Sequence, residues 1–206
     1  MPKIVDHDAR RAEIARAVLR VVAREGVGGV TLRRVAEEAG WSTGVINHYF
    51  GDKKGMLLGA IREAALGVGD RMTSTLQIDD ADDRIRSLLE AGMPLDAERA
   101  AMCRIFFYFW AEGIVDAELG AELADYYAWW RTQVRAAVEA AQARGRFASF
   151  DAGDLSESLV ALADGLGVQS MFDEITMNAE RLRGHIALII DRLDSTPRQQ
   201  ETSSHG

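Results

Sequence analysis

Apolar side chains recur along this chain at intervals of three and four between polar and charged positions, the repeat of helices that bury one face. The first stretch covers residues 8–25, with Ile14, Val18, Val21 and Val22 on one side, and Gly26, Gly28 and Gly29 break it. Thr31 is placed to cap a short second helix that turns Leu32, Val35 and Ala36 inward. It closes at Ala39-Gly40-Trp41, where glycine supplies the positive φ of a helix end. Ser42 or Thr43 caps a third helix whose apolar stripe is Val45, Ile46, Tyr49 and Phe50. Asp52 can cap a fourth, running through Met56, Leu57, Ile61 and Ala65 toward Leu76.

The acidic run QIDDADD then separates a short helix over 84–91. Pro94 opens a segment through Met102 to Glu112, and a long helix over 116–144 ends at Gly145 and the loop RFASF. Two more helices follow over 154–172 and 178–193, and the polar residues 195–206 are expected to be disordered. The expected fold is therefore all-α with about nine helices: a three-helix head over 1–51 and a second helical domain over 52–194. A length of 206 residues can bury a sizeable core, and three prolines with abundant Ala, Leu, Arg and Glu favour helix over sheet. No segment is apolar enough to span a bilayer and the N-terminus lacks a signal-peptide core, so no membrane partner and a cytoplasmic location are expected. The lone Cys103 excludes an internal disulfide, and four scattered histidines give no metal framework. No metal or cofactor is expected. With no Glu-x-x-His repeat, no Gly-rich phosphate loop before a helix and no nucleophile–base pair, neither is catalysis.

Two short helices meeting at a glycine turn behind an amphipathic first helix have the shape of a DNA-reading helix-turn-helix. Thr43 and Asn47 lie four apart on one face of the third helix, where their side chains can bond base edges, and Gly44 lets that helix approach closely. Arg33 and Arg34 on the preceding helix can add phosphate contacts. The net charge of −8 opposes a polyanionic partner only until it is split: residues 1–60 carry +3 and residues 61–206 carry −11. Such a head turns toward phosphate and such a body away from it. Arg10, Arg11, Arg16, Arg20 and Arg24 either contribute to that field or only solvate a helix face.

The order Thr31, Val35-Ala36, Ala39-Gly40, Ser42-x-Gly44, His48-Tyr49-Phe50 and Asp52-Lys53, followed by Leu57, resembles the N-terminal domain of the TetR/AcrR transcriptional repressors. Within that family STGVINHYFGDKKGML is most similar to the choline-responsive, BetI-type group. The resemblance implies phosphate contacts from Thr31, Ser42, His48, Tyr49 and Lys53, with a core aromatic as the alternative role for Tyr49. It implies a homodimeric repressor released from a palindromic operator when a small-molecule effector binds the second domain. Asn47 departs from the residues usual at its position, so the operator sequence does not carry over. A helix-turn-helix protein or adaptor without small-molecule control is the alternative.

Nine of the fifteen aromatic residues lie between 106 and 130. Cys103, Phe106, Phe107 and Trp110 share one helix face, and Tyr126 and Trp130, with Tyr127 beside them, lie on the next helix. These are the candidate effector-binding residues. With Glu112, Asp116, Glu122 and Asp125 nearby they would suit a cation such as choline or a polyamine, unless they only fill a core. Leu155, Leu159, Leu162 and Leu166, with Leu182, Ile186, Ile189 and Leu193, form stripes on the last two helices that suit a dimer interface or internal packing. Gly165 and Gly167 favour close helix approach.

Overall fold

The computed structural model describes residues 7–194, so the tail predicted over 195–206 lies outside the described residues. Among these there are nine α-helices, two 3-10 turns and no strand. The helices are α1 His7–Glu25, α2 Leu32–Ala39, α3 Thr43–Phe50, α4 Lys53–Ser74, α5 Ala81–Glu90, α6 Ala97–Gly113, α7 Ala117–Gln142, α8 Ala152–Phe172 and α9 Ala179–Asp194. No described helix is long and apolar enough to cross a membrane.

The chain divides into two compact units, one holding the described residues through Arg71 with Gly92–Tyr126, the other Met72–Ala91 with the residues from Tyr127 onward. In the first, the predicted face of α1 is the centre of the core: Ile14, Val18 and Val21 are fully buried and cluster with Val35, Ile46 and Ile105. Each such side chain removed from water contributes about 1.5–3 kcal/mol. α1 packs against both α2 and α6, so the helix-turn-helix shares a core with part of the following domain. Phe50 is seated against α4 at Gly59, where a Cβ would lie 2.3 Å from the phenyl ring.

In the second unit α5 packs on α8 and α9. Ile85, Leu88 and Leu89 of α5 and Leu182, Ile186 and Ile190 of α9 are all buried. Ion pairs Arg86–Asp191 at 2.9 Å and Arg183–Glu90 at 3.3 Å border that contact.

Two helix starts differ from expectation for one reason. Asp80 accepts the Asp82 and Asp83 N–H groups, starting α5 three residues before the predicted position, and Asp96 accepts the Arg99 N–H at the start of α6. Both acids are caps, and Asp80 is one although it belongs to the run read as a linker.

Candidate nucleic-acid interface and effector cavity

α2 and α3 meet at Gly40, whose φ of 71° and ψ of 28° are left-handed and whose N–H donates to the Ala36 carbonyl. Only glycine adopts that conformation without strain, and it lets the chain enter α3 three residues later. The Thr31 hydroxyl accepts the Arg34 N–H at 3.1 Å and the Ser42 hydroxyl accepts the Val45 N–H at 3.3 Å. Both residues cap helices, and each hydroxyl retains a proton it can donate to a phosphate oxygen.

Buried Ile46 and Phe50, with half-buried Val45 and Tyr49, anchor α3 and leave Thr43, Gly44, Asn47 and His48 exposed. A Cβ on Gly44 would meet only the Ser42 Oγ, at 3.8 Å. Internal packing therefore does not require glycine there, whereas close approach to a groove would. The Tyr49 hydroxyl bonds His7 Nδ1 at 3.1 Å, and Arg11 donates to the Tyr49 carbonyl at 3.0 Å, so the start of α1 holds the end of α3. Lys53 is exposed in the first turn of α4, where the helix dipole disfavours a cation and favours an anion. A bound phosphate would resolve that conflict.

Other basic residues are occupied within the protein. Arg34 pairs with Glu25 at 2.7 Å and Glu37 at 3.3 Å, hydrogen bonds and charges that hold its pKa above the ordinary value. In this structure it braces α2 against the end of α1. Arg33, 87% exposed, pairs with Glu37 at 3.0 Å. On α1, Arg10 lies 3.7 Å over the Trp41 ring, Arg16 pairs with Glu63, and Arg20 and Arg24 share Glu38. These arginines tie α1 to its neighbours, a role neither phosphate attraction nor simple solvation had captured.

A cavity of about 210 Å³ opens between α4, α6 and the start of α7, all within the first unit. Leu58, Ile61 and Ala65 line it from α4, Phe106 and Phe109 from α6, and Leu119, Leu123 and Tyr126 from α7. Its charged groups are Arg62, Glu122 and Asp125, and Arg62 forms an ion pair with Glu122. The Phe106 and Tyr126 rings meet at 4.8 Å.

Of the seven expected effector residues, Phe106 and Tyr126 line this cavity. Cys103 is buried and directs its Sγ at the Gly92 carbonyl, while Phe107 and Trp110 pack on each other at 5.1 Å; none of the three lines it. Tyr127 and Trp130 belong to the second unit, where Trp130 is fully buried and donates to the Leu88 carbonyl at 3.1 Å. Helical spacing alone does not say what each of these side chains meets. The wall from α4 escaped notice because its apolar positions were counted only as connector and core. Also in the second unit, burial pushes the Asp164 carboxyl up to about 7, partly offset by a hydrogen bond from the Tyr127 side chain. Among the described residues no group of three or more His, Cys, Asp or Glu side chains is arranged to hold a metal ion.

Residues 9–60 match the family described as bacterial regulatory proteins, tetR family, and residues 81–195, more than half the chain, match the BetI-type transcriptional repressor C-terminal domain. The chain belongs to the TetR family. Among TetR-family relatives it is similar to the HTH-type transcriptional regulator PksA of Bacillus subtilis strain 168, 28% identical over 89% of each chain. It is also similar to the HTH-type transcriptional regulator BetI of Burkholderia ambifaria, 33% identical over 58% of this chain and 62% of that one. A protein from Saccharomonospora viridis described as a transcriptional regulator, crystallised in complex with choline, matches with a TM-score of 0.80 and 29% identity over 89% of this chain and 96% of that one. As a TetR-family protein with a BetI-type C-terminal domain, this chain is a DNA-binding transcriptional repressor that acts on operator DNA as a homodimer and responds to a small molecule.

The stripe expected at a dimer interface is only partly exposed in a single chain. Leu155, Leu159, Leu166, Leu182 and Ile186 are all at most 8% exposed inside a single chain, so they are core. Leu162, Ile189 and Leu193 remain half-buried and line a groove of about 270 Å³ on α8 and α9, beside Leu188 at 51% exposure. A Cβ at Gly165 would meet nothing within 4 Å, so no close helix approach occurs there in one chain.

Proposed function

We propose that α3 reads the operator through Thr43 and Asn47, with Gly44 setting the approach, while Thr31, Ser42, His48, Tyr49 and Lys53 hold phosphates. The reading is carried by the exposed Thr43, Gly44, Asn47 and His48 on a helix whose opposite side is anchored in the core. In functional terms residues 1–51 are the DNA-binding part and residues 52–194 the effector and dimerisation part, and the protein works in the cytoplasm without catalysis.

The effector is a small organic cation held in the cavity between α4, α6 and α7. Aromatic faces at Phe106 and Tyr126 attract a cation, and Glu122 and Asp125 outnumber Arg62 in the lining. A volume of about 210 Å³ falls below the ~300–1,000 Å³ usual for drug-sized ligands, which favours a compact cation such as choline over an extended polyamine. The choline complex of the Saccharomonospora viridis protein supports the same class. α4 carries both Lys53 and the cavity wall, placing Arg62 about 13 Å along one helix from Lys53. A ligand-driven shift of that helix alters the phosphate grip.

Selection of genomic fragments by the purified protein, with Tyr49→Ala/Lys53→Ala as control, tests the DNA reading. A near-palindrome should be enriched and lost by the control. Lys53→Ala should weaken binding to all sequences and reduce the salt slope by about two contacts, one per subunit of the dimer, whereas Asn47→Ala should relax sequence preference. No enrichment even at low salt would defeat the proposal, and equal losses on operator and random DNA would remove Asn47 as a reader.

A further inference from the structure

Arg62 occupies an unusual position on α4. It pairs with Glu122 and lines the effector cavity, and it also lines a second cavity of about 410 Å³ between α1 and α4, together with Asp8, Arg11 and Glu63. The protein thus already places a cation of its own at a carboxylate that lines the same cavity as the aromatic pair Phe106–Tyr126. We propose that Arg62 is a tethered competitor at the effector site, and that an organic cation binds by taking its place at Glu122. The inference rests on the effector reading above and specifies how that site is gated.

Three features fit this role. The pair is exposed, 64% for the Arg62 side chain and 36% for Glu122, and exposed pairs stabilise by a factor of only about two to five, so a ligand can displace the guanidinium. A displaced guanidinium has somewhere to go, because the α1–α4 cavity offers the carboxylates of Asp8 and Glu63, although Glu63 is shared with Arg16. The exchange also changes what α4 is tied to. With Arg62 on Glu122, α4 is fastened to α7 there, and Lys54–Asp116 at 2.6 Å fastens it to the residue just before α7. With ligand on Glu122 that tie is broken while Lys54–Asp116 stands. Ligand and α4 tether thus exclude one another, and that exclusion is the differential affinity a two-state response requires.

The test is calorimetric titration of the full-length protein with choline and with 3,3-dimethylbutan-1-ol, in which carbon replaces the quaternary nitrogen. Arg62→Gln should tighten choline binding about two- to fivefold, a gain that loss of a merely structural contact would not produce. Arg62→Lys should return it close to wild type. Glu122→Gln should weaken it about tenfold or more, and the neutral alcohol should bind all four proteins alike. Binding by Arg62→Gln alone also supports the proposal, because the competitor then excludes choline altogether. Choline affinity that is unchanged or lowered in Arg62→Gln overturns the competitor role and leaves the effector reading standing. No binding of either compound by any folded variant overturns both. If circular dichroism shows Arg62→Gln unfolded, Arg62→Met, which keeps the apolar stem, takes its place.

Discussion

Asp164 is the side chain whose charge state is least compatible with its surroundings. Burial moves its carboxyl up to about 7, against about 3.9 in an unfolded chain. The native state therefore holds the proton more tightly than the unfolded state does. Its contribution to stability is complete below about pH 4 and is lost as pH rises through 7. At pH 8 the fold carries a buried carboxylate at a cost on the order of several kcal/mol. Asp164→Asn should be more stable than wild type at pH 8 and should remove most of the fall in stability between pH 5 and pH 8. Urea unfolding at both pH values measures this, and the mutant–wild type difference cancels contributions common to both proteins. Parallel pH profiles for the two proteins would show that Asp164 is not the group responsible.

Helix boundaries depend on single capping contacts, and α5 gives the plainest case. Asp80 Oδ1 accepts the N–H groups of Asp82 and Asp83 at 2.9 and 3.0 Å, and these bonds hold its carboxyl below the usual range. Asp80→Ala should lower stability by about 0.5–2 kcal/mol with the operator affinity of the folded protein unchanged, whereas Asp80→Ser should recover most of the loss. A loss in Asp80→Ser equal to that in Asp80→Ala would deny the cap its role. The same contact explains what could be foreseen in the chain. Thr31, Gly40 and Ser42 stood out as caps because each sits between a glycine or polar break and a clear apolar stripe. Asp80 sits among other acids, and Asp96 follows Pro94, which was itself read as the helix start, so neither did. Periodicity located the buried face of nearly every helix. It could not say whether Leu159 and Ile186 meet their own chain or a partner, nor that Phe106 would border a cavity while Phe107 would not, because those distinctions depend on residues far away in sequence. Likewise Gly59 was not singled out as the seat of Phe50.

A homodimer on DNA doubles whatever one recognition helix achieves. Two half-sites one turn apart, about 34–36 Å, are read together only if the subunits stay joined, and the slope of log affinity against log salt then reflects the phosphates held by both. The groove on α8 and α9 is the best place to break that union without unfolding the chain, since Leu162 and Ile189 are half-buried while the core residues Leu159 and Ile186 lie beneath. Leu162→Glu/Ile189→Glu puts like charges on a face that repeats across a twofold axis, so the variant should sediment as a monomer at micromolar concentration and melt close to wild type. It should lose the preference for a palindrome over a single half-site, and its residual DNA binding should show about half the wild-type salt slope. A variant that remains dimeric with the full slope would place the subunit contact elsewhere. The exposed Phe172 and Ile175, at 88% and 89%, would then be the next surface to change, because apolar side chains that open to water mark contact surfaces when they cluster.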